Sequence, residues 1–158
     1  MSDDKFLDPI EARKKAMDYL ARREHGRSEL VKKLTKIGFE TDVADDAVAQ
    51  IVDDGLQSDT RFAEAFVRSR INQGKGPARI RAELREHGLS DGYIETALTE
   101  AEQDWYELAI DVRLKKFGRQ QPADFKDKAR QMRFLQSRGF DSDQIQTAVA
   151  SDGVSSDL

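Results

Sequence analysis

Apolar residues recur along this chain at spacings of three and four. In the first fifty residues Ala12, Ala16, Tyr19 and Leu20 form one stripe. Leu30, Val31, Leu34 and Ile37 form a second, and Ala44, Ala47, Val48, Ile51 and Val52 a third. Such spacing puts apolar groups on one face of a helix. Gly26, Gly38 and Gly55 interrupt the stripes at their ends. The layout returns with Phe62, Ala63, Phe66 and Val67, then Ile80 and Leu84, then Ile94, Ala97, Leu98 and Ala101. It returns again with Leu108, Ala109 and Val112, then Met132, Phe134 and Leu135, then Ile145, Ala148 and Val149. The alternation expected of strands is absent, so helices are predicted throughout, three to a unit.

The units share a register. Gly38-Phe39, Gly88-Leu89 and Gly139-Phe140 stand 50 and 51 residues apart. Leu34, Leu84 or Leu135 lies four residues before each glycine, and Ala47-Val48, Ala97-Leu98 or Ala148-Val149 stands nine and ten residues after it. Thr41, Asp91 and Ser142, three residues after the glycines, are of a type that caps helices. A period near fifty residues signals stacked supersecondary units. Helices of about 10–14 residues are marginal alone in water, and so small a unit buries little core. Stacking is the remedy. The predicted fold is all-α: three tandem three-helix repeats forming an elongated curved array. The expected boundaries are a flexible N-terminus over 1–10, repeats over 11–56, 57–104 and 105–150, and a flexible C-terminus over 151–158.

Composition refines this picture. Ala, Leu, Glu, Lys, Arg and Gln abound, and only three prolines occur, which favours helix. Without cysteine, disulfides, thiol catalysis and cysteine-based zinc sites are excluded. The start, MSDDKFLDPI, lacks the apolar run of a signal peptide. No apolar stretch reaches the ~20 residues that span a bilayer. A cytoplasmic protein without membrane contact is expected. The net charge of −4 argues against a protein built only to coat nucleic acid. Charge alternates in blocks, however. Residues 22–36, 60–88 and 113–138 are basic, whereas 40–59, 89–111 and 141–158 are acidic. The second helix of each unit is basic and the third acidic.

The tetrapeptide REHG occurs at 23–26 and at 85–88, and it holds the only two histidines. Its copies stand 62 residues apart and so do not recur with the fifty-residue period, although the second ends on Gly88. Both read as helix stops, with Gly26 and Gly88 in the left-handed conformation and His25 and His87 at negative helix ends. No carboxylate or histidine cluster stands at helical spacing from either histidine. Neither G-x-S-x-G, H-E-x-x-H, a P-loop nor an EF-hand loop is present. No catalytic residue, metal ligand or cofactor is expected, and the chain is not read as an enzyme. Trp105, at the junction of the second and third units, is expected to be buried.

The candidate contact residues are basic. Arg61, Arg68, Arg70, Lys75, Arg79, Arg81 and Arg85 fall within 25 residues. Arg130 and Arg133 extend the set into the third unit. In GKGP, Lys75 stands between two glycines at a helix start, where backbone N–H groups could hold an anion. The simpler reading of any single charge is a solvated face, with surface pairs worth about 0–1 kcal/mol each.

Three segments carry a resemblance. YLARREHGRSELVKKLTKIGF, SDTRFAEAFVRSRINQGKGPARIRAELREHGL and FLQSRGFDSDQI resemble the RecX family of bacterial regulatory proteins, over about residues 12–150. Asp59, Arg61, Phe62, Ala63, Gly76, Pro77, Ile80, Leu84 and Gly88 match its pattern. Gly26 departs from it, since the family more often has a serine there that could cap the second helix. The resemblance implies tandem three-helix units and a partner, the RecA recombinase filament on single-stranded DNA. It implies inhibition of RecA ATP hydrolysis, strand exchange and coprotease activity, and so modulation of DNA repair, recombination and the SOS response. The family has no catalytic residues to carry over. The alternative is a helical-repeat protein that contacts single- or double-stranded DNA directly. A monomer is expected.

Overall fold

The computed structural model describes residues 4–151, and all regular structure among them is helical. A 3-10 turn at Asp4–Leu7 precedes α1 (Pro9–Arg22), α2 (Arg27–Lys36) and α3 (Thr41–Asp53). The middle repeat contributes α4 (Asp59–Asn72), α5 (Pro77–Glu86) and α6 (Asp91–Glu100). The last contributes α7 (Trp105–Phe117), α8 (Phe125–Ser137) and α9 (Ser142–Ala150).

The glycine register has a local cause. Gly38, Gly88 and Gly139 all adopt positive φ, at 124°, 84° and 97°. The next residue's N–H returns to a leucine carbonyl: Phe39 to Leu34 (3.1 Å), Leu89 to Leu84 (3.2 Å) and Phe140 to Leu135 (3.3 Å). The glycine N–H groups bond Thr35, Arg85 and Gln136. This is a Schellman closure in triplicate, and it requires a residue tolerant of positive φ. The apolar residue after each glycine is buried. Thr41 and Ser142 differ slightly from expectation. Each is the first residue inside its helix, and the cap of α9 is Asp141, whose carboxylate accepts from Gln144 N–H.

Compactness follows a different division from the repeat. One unit comprises the chain up to Phe66 together with Leu84–Ala97. The other comprises Val67–Glu83 and the chain from Leu98 onward. In the first, α1 and α2 both pack on α3. Ala12, Ala16, Leu30, Leu34, Ala44, Ala47, Val48 and Ile51 are fully buried there. Ile37 is not in that core: it follows the last turn of α2 and is 42% exposed. In the second unit α7 and α8 pack on α9 around Ala109, Leu135, Phe140, Ile145, Ala148 and Val149. Ala101 lies past the end of α6 and is exposed, and Trp105 is half-buried.

The start of the chain departs from the reading of residues 1–10 as a flexible terminus. Asp8 caps α1 through Ile10 N–H at 2.9 Å, with Pro9 in the first turn. Phe6 meets Phe39 edge-on, with ring centroids 5.3 Å apart, and its carbonyl accepts from Glu40 N–H. At the other end, Ser151 accepts a hydrogen bond from Arg113. Residues 1–3 and 152–158 of the expected flexible termini lie outside the described residues.

Arg113 is a buried charge that the apolar pattern did not reveal. Its side chain is fully buried in the second unit. Nε donates to Gln131 Oε1 (2.9 Å), and the two terminal nitrogens donate to the carbonyls of Ser151 (2.9 Å) and Gln120 (2.6 Å). The guanidinium fork therefore ties α7 to α8, to the α7–α8 loop and to the end of α9. Burial lowers its proton affinity, opposed by the charge of Asp127.

Candidate functional surface

The residues that carry the family resemblance gather where one repeat meets the next. In the first unit Asp59 Oδ1 accepts from Arg27 N–H at 2.9 Å and from Gln57 Nε2 at 2.9 Å. Gln57 Nε2 also reaches the His25 carbonyl. Gly26 has φ of −71° and starts α2; it does not close α1 in the left-handed region. The serine that would cap this helix is absent, and Asp59, from the next repeat, satisfies one of the exposed donors instead. Space also favours glycine, because an added Cβ would lie 3.3 Å from the Phe62 ring. Gly88 does take the closing conformation, and a Cβ there would strike Ser28 at 2.8 Å. The start of α2 thus abuts the end of α5.

His25 and His87 belong to this packing. α1 ends at Arg22, so His25 is outside its last turn and is buried. Its Nδ1 lies 3.1 Å from the Arg23 carbonyl and its Nε2 2.9 Å from Lys33 Nζ. Those partners suit a neutral ring that donates from Nδ1 and accepts at Nε2. Burial lowers the His25 pKa below its ordinary value, with Arg23 and Lys33 adding repulsion and the Arg23 carbonyl opposing. His87 meets the rings of Phe62 and Phe66 edge-on at 5.3 and 5.2 Å. Its Nδ1 lies 3.6 Å from Glu29. Glu29 is the charge centre of the junction: it accepts from both terminal nitrogens of Arg23 and from Gly26 N–H. Burial pushes its carboxyl up, but Arg23, His25 and His87 outweigh this and hold it below the ordinary value.

The second unit contains the corresponding contact. Gly76 N–H donates to the Arg138 carbonyl at 2.7 Å, and Ala78 N–H to the Gly139 carbonyl at 3.0 Å. A Cβ on Gly76 would lie 2.5 Å from Gly139 backbone atoms. These bonds overturn the anion reading of GKGP. The N–H groups at the start of α5 are spent on the carbonyls that end α8, and Lys75 faces Glu83 at 3.6 Å.

Most of the nine candidate cations also have partners inside the protein. Arg61 approaches Glu24 (3.5 Å) and donates to the Gly55 carbonyl, and Arg70 donates to Glu83. Arg79 donates to the Ser137 carbonyl at 3.0 Å, completing the end of α8. Arg85 pairs with Asp91, and Arg130 pairs with Asp127 while covering the Phe117 ring. Arg81 is half-buried and also engaged. Arg68 and Arg133 are exposed and form no ion pair among the described residues.

A basic concavity lies in the second unit, at residues the candidate set omits. The end of α4, α7 and α8 border a cleft of about 830 Å³. Lys115, Lys116, Arg119 and Arg138 contribute its cations. Ile71, Leu108, Val112 and Phe134 contribute apolar surface. Lys115, Lys116 and Arg119 are exposed, without an ion pair among the described residues. The available signal was the run of bases in the last turn of α7, followed by a loop arginine.

A triplicated three-helix unit with a Schellman glycine at each stacking junction defines a tandem helical-repeat protein. The comparisons give its family. Models described as the first, second and third three-helix domains of RecX match residues 12–50, 58–98 and 102–149. The chain belongs to the RecX family. It is 45% identical over 135 residues to the regulatory protein RecX of Halorhodospira halophila, covering 85% of this chain and 84% of that one. It is 45% identical over 137 residues to regulatory protein RecX of Pseudomonas putida strain GB-1, covering 87% and 88%. The crystal structure of a regulatory protein RecX superposes with TM-score 0.75 at 28% identity, covering 89% of this chain and 70% of that one. RecX from Lactobacillus salivarius, at 23% identity and TM-score 0.73, shares the fold over 92% of this chain and 95% of its own. Among the described residues no helix is long and apolar enough to cross a membrane.

Proposed function

We propose that this chain is a non-catalytic regulator that docks on the RecA recombinase filament and inhibits its ATP hydrolysis, strand exchange and coprotease activity. The observation that carries this reading is the match to all three RecX domains along one chain. Three docking units on one chain turn modest contacts into a tight overall association, because the second and third contacts form intramolecularly. Exposed cations such as Arg68 and Arg133 would steer encounter more than they add affinity. Inhibition follows if the ligand prefers a protomer arrangement that hydrolyses ATP slowly.

The test is RecA ATP hydrolysis on single-stranded DNA, titrated with this protein at moderate salt. Hydrolysis is expected to fall as the protein approaches stoichiometry with RecA. An unchanged rate at stoichiometric protein refutes the reading. DNA binding by the protein alone, measured across a salt series, separates filament docking from simple competition for DNA.

A further inference from the structure

We propose that the cleft formed by the end of α4, α7 and α8 is a docking groove for an acidic, amphipathic helical segment of a partner protein. The inference builds on the reading of this chain as a docking regulator and names the chemistry that one of its surfaces accepts.

Three features lead there. The first is size: about 830 Å³ lies within the range of pockets that enclose a ligand's surface. The second is the distribution of polarity. Ile71, Leu108, Val112 and Leu114 line the cleft with apolar surface, which rewards burial of leucine-like side chains. Lys115, Lys116 and Arg119 bring exposed positive charge to the same cleft, against a single lining carboxylate, Asp111. The third is that these cations are unspent. In the middle repeat Arg70 and Lys75 share the Glu83 carboxylate, but Lys115, Lys116 and Arg119 have no ion pair among the described residues. Their charge is available to carboxylates on an incoming helix.

The same cleft suits single-stranded nucleic acid less well. Such sites offer aromatic faces on which bases stack. Here Phe134 already carries the Lys116 ammonium at 5.5 Å and the Arg138 guanidinium at 5.2 Å, and it meets the edge of Phe117. Phe117 in turn carries Arg130 at 5.0 Å. With its aromatics so occupied, the groove selects apolar anchors flanked by acids.

The experiment uses the full chain and a fluorescent peptide with leucines at i, i+3, i+4 and i+7 and glutamates elsewhere. Its glutamine isostere and an oligothymidylate serve as further probes. Binding is read by anisotropy without RecA present, so failure here leaves RecA inhibition untouched and separately measurable. The acidic peptide should bind, and the glutamine peptide should bind about tenfold more weakly or worse. The triple variant Lys115→Glu, Lys116→Glu, Arg119→Glu should lose at least about tenfold in affinity while keeping wild-type circular dichroism. A control of equal charge change, Lys36→Glu, Lys126→Glu, Lys128→Glu, should bind much as wild type does. The inference is overturned if the peptide does not bind or if groove and control variants lose affinity equally. It is also overturned if the groove variant loses oligothymidylate binding while peptide binding is unaffected.

Discussion

Replacing Gly139 by alanine should be far more damaging than the same change at a glycine of similar backbone conformation elsewhere. Gly139 has φ of 97° and Gly55, which closes α3 by the same pair of hydrogen bonds, has φ of 74°, so each substitution incurs the steric cost of a Cβ at positive φ, about 1–2 kcal/mol. At Gly55 nothing lies within 4 Å of the new atom, and the cost ends there. At Gly139 the Cβ would overlap Arg79 Cβ and lie 2.6 Å from its backbone nitrogen. A backbone obstacle does not rotate away, so α5 and α8 must separate. Separation breaks Gly76 N–H to Arg138 (2.7 Å) and Ala78 N–H to Gly139 (3.0 Å), at about 0.5–1.5 kcal/mol each. Gly139→Ala should therefore cost about 2–5 kcal/mol in urea unfolding, with Gly55→Ala near 1–2 kcal/mol by the same assay. Gly92→Ala, in α6 with open space around it, should be neutral or stabilising by up to about 1 kcal/mol. Equal destabilisation by Gly139→Ala and Gly55→Ala would refute the claim that repeats stack through the glycine.

Arg113→Met should cost about 3 kcal/mol or more, because it leaves the carbonyls of Ser151 and Gln120 without their donor. Arg113→Lys should rescue little, since an ammonium lacks the planar fork. Wild-type urea stability in either variant contradicts this role. Stability should also fall in two stages as pH is lowered. Burial holds the folded pKa of His25 below 6.5, so its contribution is intact above pH 6.5 and is lost as pH falls through the folded value. The folded pKa of Glu29 lies below 4.5, so its contribution is intact above pH 4.5 and disappears as acid protonates the folded carboxylate. His25→Gln should flatten only the upper stage of a stability–pH curve; an unchanged upper stage would remove His25 from it.

The helical architecture was legible because its signals are local. A Schellman closure needs a glycine, an apolar residue after it and a leucine before it, all within six residues, so the register of 38, 88 and 139 shows in the sequence. The two REHG tetrapeptides show where locality ends. They are identical, yet Gly26 starts a helix at φ −71° and Gly88 closes one at +84°. What separates them is partly local, since Glu29 takes the Gly26 N–H, and partly tertiary: Asp59, 32 residues from Arg27 in the chain, takes the first donor of α2. The availability of the candidate cations was less legible for the same reason. Arg70 and Lys75 look as available as Lys115 and Arg119 until Glu83 is brought beside them. Arg113 reads like any surface arginine until the loop and α9 close over it.

The alternation of basic and acidic blocks has a structural component that precedes any partner. The start of a helix presents unpaired N–H groups and the end presents unpaired carbonyls. In each junction a helix start meets a helix end: α2 with the end of α5 in one unit, and α5 with the end of α8 in the other. Opposite ends of helix dipoles attract, and arginines complete the match. Arg79 donates to Ser137, and Arg138 to Gln73, each bonding a carbonyl at or near a helix end. At the end of α2 the corresponding position is taken by Phe6, its ring 2.9 Å from where a Cβ of Gly38 would lie. Part of the positive charge of the second helices therefore serves stacking. Other cations have no carbonyl or carboxylate to serve: in the second unit Lys115, Lys116 and Arg119 meet at the cleft beside α7, and Arg68 and Arg133 stand outside it.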